Sequence, residues 1–203
     1  MAAPFLFDPL LVHIHRMSDS SFIQRSRYFL AYEYPTKIRM AVVGLPQDIV
    51  WWRANEESNS IGNLLLHLAG NIRQWVVTGI GGAAGTRVRS LEFSMREGPD
   101  AAELLEILES AVRDADAVLA TIDSGQLDRE LTIQGRQTTV LAAVYHVVEH
   151  FSMHAGQIFV IAKMHAPGSV AFYDDAGGLA IPLWGGSEGR RLLEQSKELR
   201  VQK

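Results

Sequence analysis

Four long segments with helical periodicity restrict the fold of this chain more than any other feature of its sequence. Their apolar residues recur every three to four positions, and turn-forming residues separate them. The segments cover approximately residues 18–43, 60–78, 100–122 and 138–164. Four long helices joined by one or two long crossovers predict an all-α four-helix bundle. Bundles of this kind build cofactor sites inside, from side chains on facing helices.

Local signals refine the helix ends. Pro35 is expected to kink the first helix or to divide it in two. Asp100 and Glu103 form the D-x-x-E pattern of a capping box, which predicts the start of the third helix. Thr138 or Thr139 is expected to cap the fourth helix, after the stretch LTIQGRQTT has turned the chain.

The two ends of the chain lack this periodicity. After Pro167, the stretch PGSVAFYDDAGGLAIPLWGG is too rich in Gly and Pro for a regular element, and a short charged helix from about Ser187 is expected to close the chain. We therefore expect an N-terminal extension (residues 1–17), a bundle domain (residues 18–165) and an irregular C-terminal extension (residues 166–203).

Composition narrows the possible functions. The net charge of −4 and the lack of Lys/Arg runs argue against nucleic acid or anionic membrane as a partner. The apolar runs are too short to span a membrane, and the N-terminus lacks the basic region of a signal peptide, so a cytoplasmic protein is expected. There is no cysteine. A metal site must therefore use His, Asp or Glu, and thiol chemistry requires an external thiol.

Three histidines recur at four-residue intervals in the stretch YHVVEHFSMHAGQ: His146, His150 and His154. On a helix they form one stripe, which is predicted to face inward because Glu149 and Lys163 lie about 140° away. His146 and His154 are roughly 12 Å apart along the axis, so only one adjacent pair can bind a single ion. The spacing alone leaves open which pair does so.

The second helix carries another polar stripe, which contains no charged residue. Water-facing stripes usually contain Lys or Glu, so this one is expected to line a cleft. Its members are Ser60, Asn63, His67, Asn71, Gln74 and Thr78. His67 is the only histidine on another predicted bundle helix, which makes it the candidate third ligand. A competing interpretation is an inverted zinc-protease motif, H-x-x-E-H, with His146 and His150 as ligands and Glu149 as base. The chain is small for a protease domain, which disfavours it.

Two motifs, NSIGNLLLHLAGNIRQW and VVEHFSMHAGQI, resemble those of the DinB/YfiT-like superfamily of metal-binding four-helix bundles. The resemblance covers about residues 20–165. It implies an up-down-down-up bundle, commonly dimeric, that binds zinc, nickel or a similar divalent ion. His67 matches the ligand of the H-L-x-x-N helix, and His150 and His154 match the H-x-x-x-H pair ahead of G-Q. The resemblance makes His146 a neighbour of the ligands.

Characterised relatives in this superfamily include thiol S-transferases and thiol-dependent isomerases. The resemblance therefore implies transfer of a low-molecular-weight thiol to a small electrophilic substrate. By their spacing, Asn71 and Gln157 are candidates to position the substrate or the ligands, and His146 is a candidate catalytic residue that donates a hydrogen bond to a ligand or shuttles a proton. A metal-dependent hydrolase that activates water at the same ligands is the alternative, as is a non-catalytic, metal-stabilised binding protein. A homodimer is expected from the resemblance and from apparently exposed tail aromatics, Phe172, Tyr173 and Trp184.

Overall fold

The computed structural model describes residues 22–168, 170–176 and 179–185, and this part of the chain is mostly helical. Helix α1 covers residues 22–42, with a π-helical stretch at Phe29–Glu33 before the α-helical Tyr34–Val42. Helix α3 is α-helical over Ile61–Ile72 and continues as a π-helix over Arg73–Ile80. The other helices are α2 (Gln47–Val50), α4 (Arg89–Ser94), α5 (Ala101–Leu119) and α6 (Val140–His165), with a 3-10 turn at Ser124–Gln126.

The predicted helix starts are confirmed at two helices. The Asp100 side chain accepts from the Glu103 backbone N–H at the start of α5, and the Glu103 carboxylate accepts from the Asp100 N–H. Thr139 caps α6 by accepting from the backbone N–H of Ala142. Such caps satisfy backbone donors that have no partner within the helix.

Pro35 does not break α1. The helix stays continuous because the turn before the proline widens: the Tyr34 N–H donates to the Phe29 carbonyl, five residues back. Proline has no N–H and its ring crowds the preceding turn, and a π-helical turn is one way to accommodate both effects.

The expectation of an all-α chain is wrong in detail, because the described residues include two short antiparallel hairpins. Glu130 and the stretch LTIQGRQTT after it form strands β1 (Glu130–Ile133) and β2 (Arg136–Thr139). Gln134 and Gly135 join the strands, with φ of 54° and 74°. Two left-handed residues in a two-residue loop match the right-handed twist of a hairpin.

The tail also forms a regular element, contrary to expectation. Strands β3 (Tyr173–Ala176) and β4 (Leu179–Pro182) pair in antiparallel fashion. Trp184 is buried, and its ring lies 3.6 Å from Lys37 Nζ on α1, so the hairpin packs on the helices. Of the three tail aromatics expected to be exposed, only Tyr173 is largely so. The N-terminal extension and the helix expected from Ser187 lie outside the described residues.

One hydrophobic core joins the four long helices. Helix α3 packs most extensively on α5, and α6 packs on α1 and α3. Phe151 of α6 is 1% exposed and stacks on Tyr34 of α1, with ring centroids 5.8 Å apart. Burial of a side chain of this size stabilises the fold by about 1.5–3 kcal/mol. Within the described ranges, no helix combines the length and the apolar character needed to cross a membrane.

Candidate metal centre

Two helices bring three imidazoles together in the interior. His67 lies on α3, and His150 and His154 lie one turn apart on α6. The Nε2 atoms of His67 and His150 are 3.0 Å apart, and the ring centroids of His67 and His154 are 5.0 Å apart. One ring nitrogen from each histidine lies within 4.8 Å of the other two. The geometry therefore gathers these three side chains into one cluster.

The uncharged stripe of α3 explains how His67 reaches this position. Ser60 and Asn63 form a reciprocal capping box that fixes the start of the helix. Ser60, Asn63, His67 and Asn71 are all at most 5% exposed. The stripe therefore faces the interior, as its lack of charge predicted, and His67 points across to α6.

Glu92 on α4 orients His67. Its Oε2 atom lies 2.8 Å from His67 Nδ1. An ionised carboxylate only accepts hydrogen bonds, so Nδ1 carries the proton and donates it. The lone pair of His67 then lies on Nε2, which faces the cluster. In other proteins, carboxylates that accept from the far ring nitrogen of a metal-binding histidine orient its ring in the same way.

Arg87 holds Glu92 in place. Its Nε donates to Oε1 at 2.6 Å and its Nη2 to Oε2 at 2.8 Å, so the guanidinium binds both carboxylate oxygens. Arg87 Nη1 also donates to the side chain of Gln74, another residue of the uncharged stripe. Burial raises the pKa of Glu92, but the hydrogen bonds from Arg87 and His67 outweigh burial and hold this pKa below its usual value. Glu92 is therefore ionised at neutral pH.

Gly70 makes room for this ion pair. A Cβ atom at Gly70 would lie 2.1 Å from Glu92 Oε1 and 2.9 Å from Arg87 Nε. These distances are shorter than van der Waals contact, so any larger residue would displace the carboxylate that holds His67. A glycine inside α3 is less favourable to the helix than alanine, and here the close approach explains it.

The other two histidines differ in how they are held. His154 Nδ1 lies 2.7 Å from Gln157 Oε1, so it donates to that carbonyl oxygen and leaves its lone pair on Nε2. His150 Nδ1 is buried and has no hydrogen-bond partner among the described residues. The packing of neighbouring rings holds His150, with centroids 4.8 Å from His67 and 4.4 Å from His154.

This donor set fits a divalent transition-metal ion. Zinc binds imidazole nitrogen at about 2.0–2.1 Å, which places two nitrogens of a tetrahedral site roughly 3.3 Å apart. The observed 3.0 Å between the Nε2 atoms of His67 and His150 is close to that separation.

The imidazoles of His150 and His154 are held neutral, which is the form that binds metal. Burial and the neighbouring His154 and His67 lower the pKa of His150 to about 3. Burial also lowers the pKa of His154, against the hydrogen bond to Gln157, which raises it. Protons therefore compete weakly with a metal ion for His150 at neutral pH.

His146 lies beside the cluster but does not belong to it. Its ring centroid is 5.4 Å from that of His150 and 4.2 Å from that of Trp75. Burial lowers its pKa, while Glu149 raises it. Glu149 is exposed. This geometry does not favour the inverted protease motif, which needs His146 as a ligand and Glu149 near the ion.

The other predicted site residues occupy different positions. Gln157 contacts the cluster through His154. Asn71 is buried one turn beyond His67, and in the described part of the chain it makes no hydrogen bond to the three imidazoles. His165 packs against Trp52, at 4.4 Å between centroids. His13 and His15 lie outside the described residues.

Sequence reasoning missed Glu92 and Arg87. Helix α4 has only six residues, too few for a periodic pattern, and the chain before it is rich in glycine. One signal was present: Glu92 is a charged residue between the apolar Leu91 and Phe93. Such a pattern is common in exposed loops, so it did not identify a buried carboxylate.

Comparison with known proteins identifies a matching family model and solved structures with a similar fold. The family model described as "Protein of unknown function (DUF1572)" matches residues 19–170. The DinB-like protein YjoA of Bacillus subtilis has 22% sequence identity and a TM-score of 0.55, and the match covers 74% of this chain and 97% of YjoA. A DinB-like protein of Bacillus cereus has 14% identity and a TM-score of 0.57, with coverage of 72% and 91%. No curated protein matches the chain. These likenesses show a DinB-like helical fold.

Proposed function

This chain belongs to the DUF1572 family of DinB-like proteins, and on that premise we propose that it binds a divalent metal ion and transfers a low-molecular-weight thiol to a small electrophile. The observation that carries the proposal is the cluster of His67, His150 and His154, whose ligand atoms lie within 4.8 Å of one another. Three neutral imidazoles leave at least one coordination position for chemistry.

Hydrogen bonds fix which ring nitrogen carries the proton in two of the three proposed ligands. Glu92 holds the His67 proton on Nδ1, and Gln157 does the same for His154. Both therefore offer Nε2 to an ion without rearrangement. Zinc and nickel are the ions we favour, since imidazole nitrogen suits both. When bound, the ion supplies positive charge and Lewis acidity, which favour the thiolate form of a thiol at neutral pH.

The thiol is an external molecule, since the chain has no cysteine. We assign its released proton to a ring nitrogen of His146, which is neutral at pH 7 because burial lowers its pKa. The simplest balanced reaction is an addition. The sulfur bonds to an electrophilic carbon of a double bond, the π bond at that carbon breaks, its electron pair takes the proton from His146, and no group leaves. Asn71 and Gln157 have amide groups suited to orienting the substrate or the ligands.

The scaffold we propose for this site is the up-down-down-up four-helix bundle. Cross-helix contacts support it. Arg27–Asp116 and Arg39–Glu109 follow opposite orders along α1 and α5, so these two helices are antiparallel. His67–His154 and Trp75–His146 show the same for α3 and α6. Helices α3 and α5 are parallel: Arg73 pairs with Asp114, and a Cβ atom at Gly81, directly after α3, would lie 2.9 Å from Val118.

A homodimer is part of the proposal. The N-terminal half of α6 exposes Leu141 (40%) and Tyr145 (62%), which are apolar side chains suited to an interface. Sedimentation of the purified protein over a range of concentrations tests this part. A monomer at every concentration contradicts it.

Metal analysis of four variants tests the site itself. We expect His67→Ala, His150→Ala and His154→Ala each to lose most of the bound zinc, because two imidazoles hold the ion far more weakly than three. His146→Ala is the matched control and retains it. Wild-type stoichiometry in His154→Ala contradicts the proposed ligand set. Loss in His146→Ala with retention in His154→Ala supports the inverted protease motif instead.

Activity assays on the zinc- and nickel-loaded protein distinguish the reactions. We expect conjugate formation to depend on both metal and added thiol when electrophiles are screened. Ester or amide cleavage without thiol supports the hydrolase alternative. A broad panel with no turnover, from protein that binds metal stoichiometrically, supports the non-catalytic binding protein.

A further inference from the structure

A groove of about 680 Å³ lies between the loop at residues 52–59 and the C-terminal half of α6. The loop contributes Trp52 and Glu57, and α6 contributes Met153, Gly156, Gln157 and Val160. The volume is within the range of small-molecule sites, roughly 300–1,000 Å³. None of the three clustered histidines lines the groove. It is a neighbouring site, connected to the cluster through Gln157.

Gly156 forms part of the wall of this groove, and its lack of a side chain has no packing explanation. It lies inside the 26-residue helix α6, where glycine is less favourable than alanine. A Cβ atom at Gly156 would meet no atom of the described part of the chain within 4 Å. Gly70 differs, because the Glu92–Arg87 pair fills its space. At position 156, the missing side chain widens the groove instead.

Gln157 connects the groove to the histidine cluster. Its Oε1 accepts from His154 Nδ1 at 2.7 Å. The Nε2 group of the same amide remains a donor, and the side chain lines the groove. A ligand in the groove that offers an acceptor oxygen can therefore bind the amide that holds His154.

We propose that this groove binds a neutral, largely apolar small molecule that carries a hydrogen-bond acceptor such as a ketone oxygen. Trp52, Met153 and Val160 supply apolar contact area, and the Gln157 amide supplies the polar contact. Among the described residues, Glu57 is the one charged side chain on the wall, and its negative charge disfavours anions. The further assignment of this ligand as the electrophile of the thiol transfer rests on the proposed function, whereas the groove itself does not.

Fluorescence titration with prodan tests the binding site. Prodan is a neutral naphthyl ketone whose emission shifts to shorter wavelength in apolar surroundings. We use metal-free protein, so that the outcome is independent of the histidine cluster. Wild-type protein is expected to shift the emission saturably. A titration without saturation overturns the proposal.

Gly156→Phe is the decisive variant, because its ring fills the groove without meeting other atoms at Cβ. We expect at least a tenfold loss of prodan affinity. Ser152→Phe is the matched control: it adds the same ring at an exposed position of α6 outside the groove, and binding stays within twofold of wild type. Unchanged binding in Gly156→Phe places the probe elsewhere and overturns the proposal. Circular dichroism and thermal unfolding verify that both variants fold.

Two further measurements complete the test. Gln157→Met keeps the side-chain length but removes the amide donor. Prodan affinity is expected to fall about fivefold, which is the typical effect of losing one hydrogen bond. Sedimentation of Gly156→Phe must match wild type. A change from dimer to monomer identifies the groove as a contact between two copies and overturns a small-molecule site. Prodan binding in a protein that fails to bind metal removes the proposed function but leaves this inference intact.

Discussion

Replacement of Glu92 by glutamine tests how far this metal centre depends on a residue outside the ligand set. Glutamine keeps the size of the side chain and removes its charge. Arg87 Nη2 lies 3.1 Å from His67 Nδ1. It can donate a hydrogen bond to Nδ1 once no carboxylate accepts the proton of that nitrogen. His67 would then accept at Nδ1 and carry its proton on Nε2, the atom that faces the other imidazoles.

The expected loss of zinc affinity is 10- to 100-fold, the usual effect of removing a residue that orients a ligand histidine. This corresponds to about 1.4–2.7 kcal/mol. The unneutralised guanidinium of Arg87, close to the ion, also acts against metal binding. A second effect appears without metal: the side chains of Arg87 and Glu92 are each 10% exposed, and breaking a buried pair leaves a charge uncompensated. We expect about 3 kcal/mol of lost stability from this cause.

Competition between the protein and a chromophoric zinc chelator measures the affinity, and urea unfolding of the metal-free protein measures the stability. Nitrogen NMR of His67 reports directly which ring atom is protonated. Glu97→Gln is the control, because Glu97 is an exposed carboxylate close by in the chain. Zinc affinity of Glu92→Gln within twofold of wild type, with the His67 proton still on Nδ1, refutes the reasoning.

Three further predictions test other parts of the structure. Gly70→Ala should lower zinc affinity as Glu92→Gln does, since its Cβ would lie 2.1 Å from the Glu92 carboxylate. Gly156→Ala should instead raise the free energy of unfolding by about 0.5–1 kcal/mol. Chelator competition and urea unfolding measure these effects, and equal effects of the two variants would contradict this prediction. The metal-free protein should lose stability as the pH falls from about 6.5 towards 3. The pKa of His150 is about 3 in the folded protein and about 6.5 in the unfolded chain, so in this pH range the unfolded chain binds a proton that the folded protein does not. The His150→Gln variant should flatten that dependence in urea titrations at several pH values. Lys37→Met should destabilise the protein by about 1 kcal/mol and accelerate hydrogen exchange in the C-terminal hairpin, since it removes a cation–π contact of 3.6 Å; unchanged exchange would contradict this.

The helices and much of the candidate site follow from the sequence because their causes are local. Capping at Asp100 and Thr139 depends on groups three residues away. The inward stripe of α6 follows from helical periodicity, which places His150 and His154 on one face. His67 was the candidate third ligand because it is the only histidine on another predicted bundle helix, and resemblance to a family agreed with it. The choice of His150 and His154 over His146 came from that resemblance. Spacing alone left that choice open.

The tertiary structure alone decided the contacts between distant parts of the chain. His67 meets Glu92 across 25 residues and His150 across 83, and no periodic pattern encodes such separations. The same is true of the space that Gly70 leaves for Glu92 and of the tail hairpin, whose Trp184 packs over Lys37. Periodicity and caps act within about a turn of helix, so the sequence determined which residues share a face. The path of the chain between helices decided which faces meet, and with it the carboxylate that orients His67.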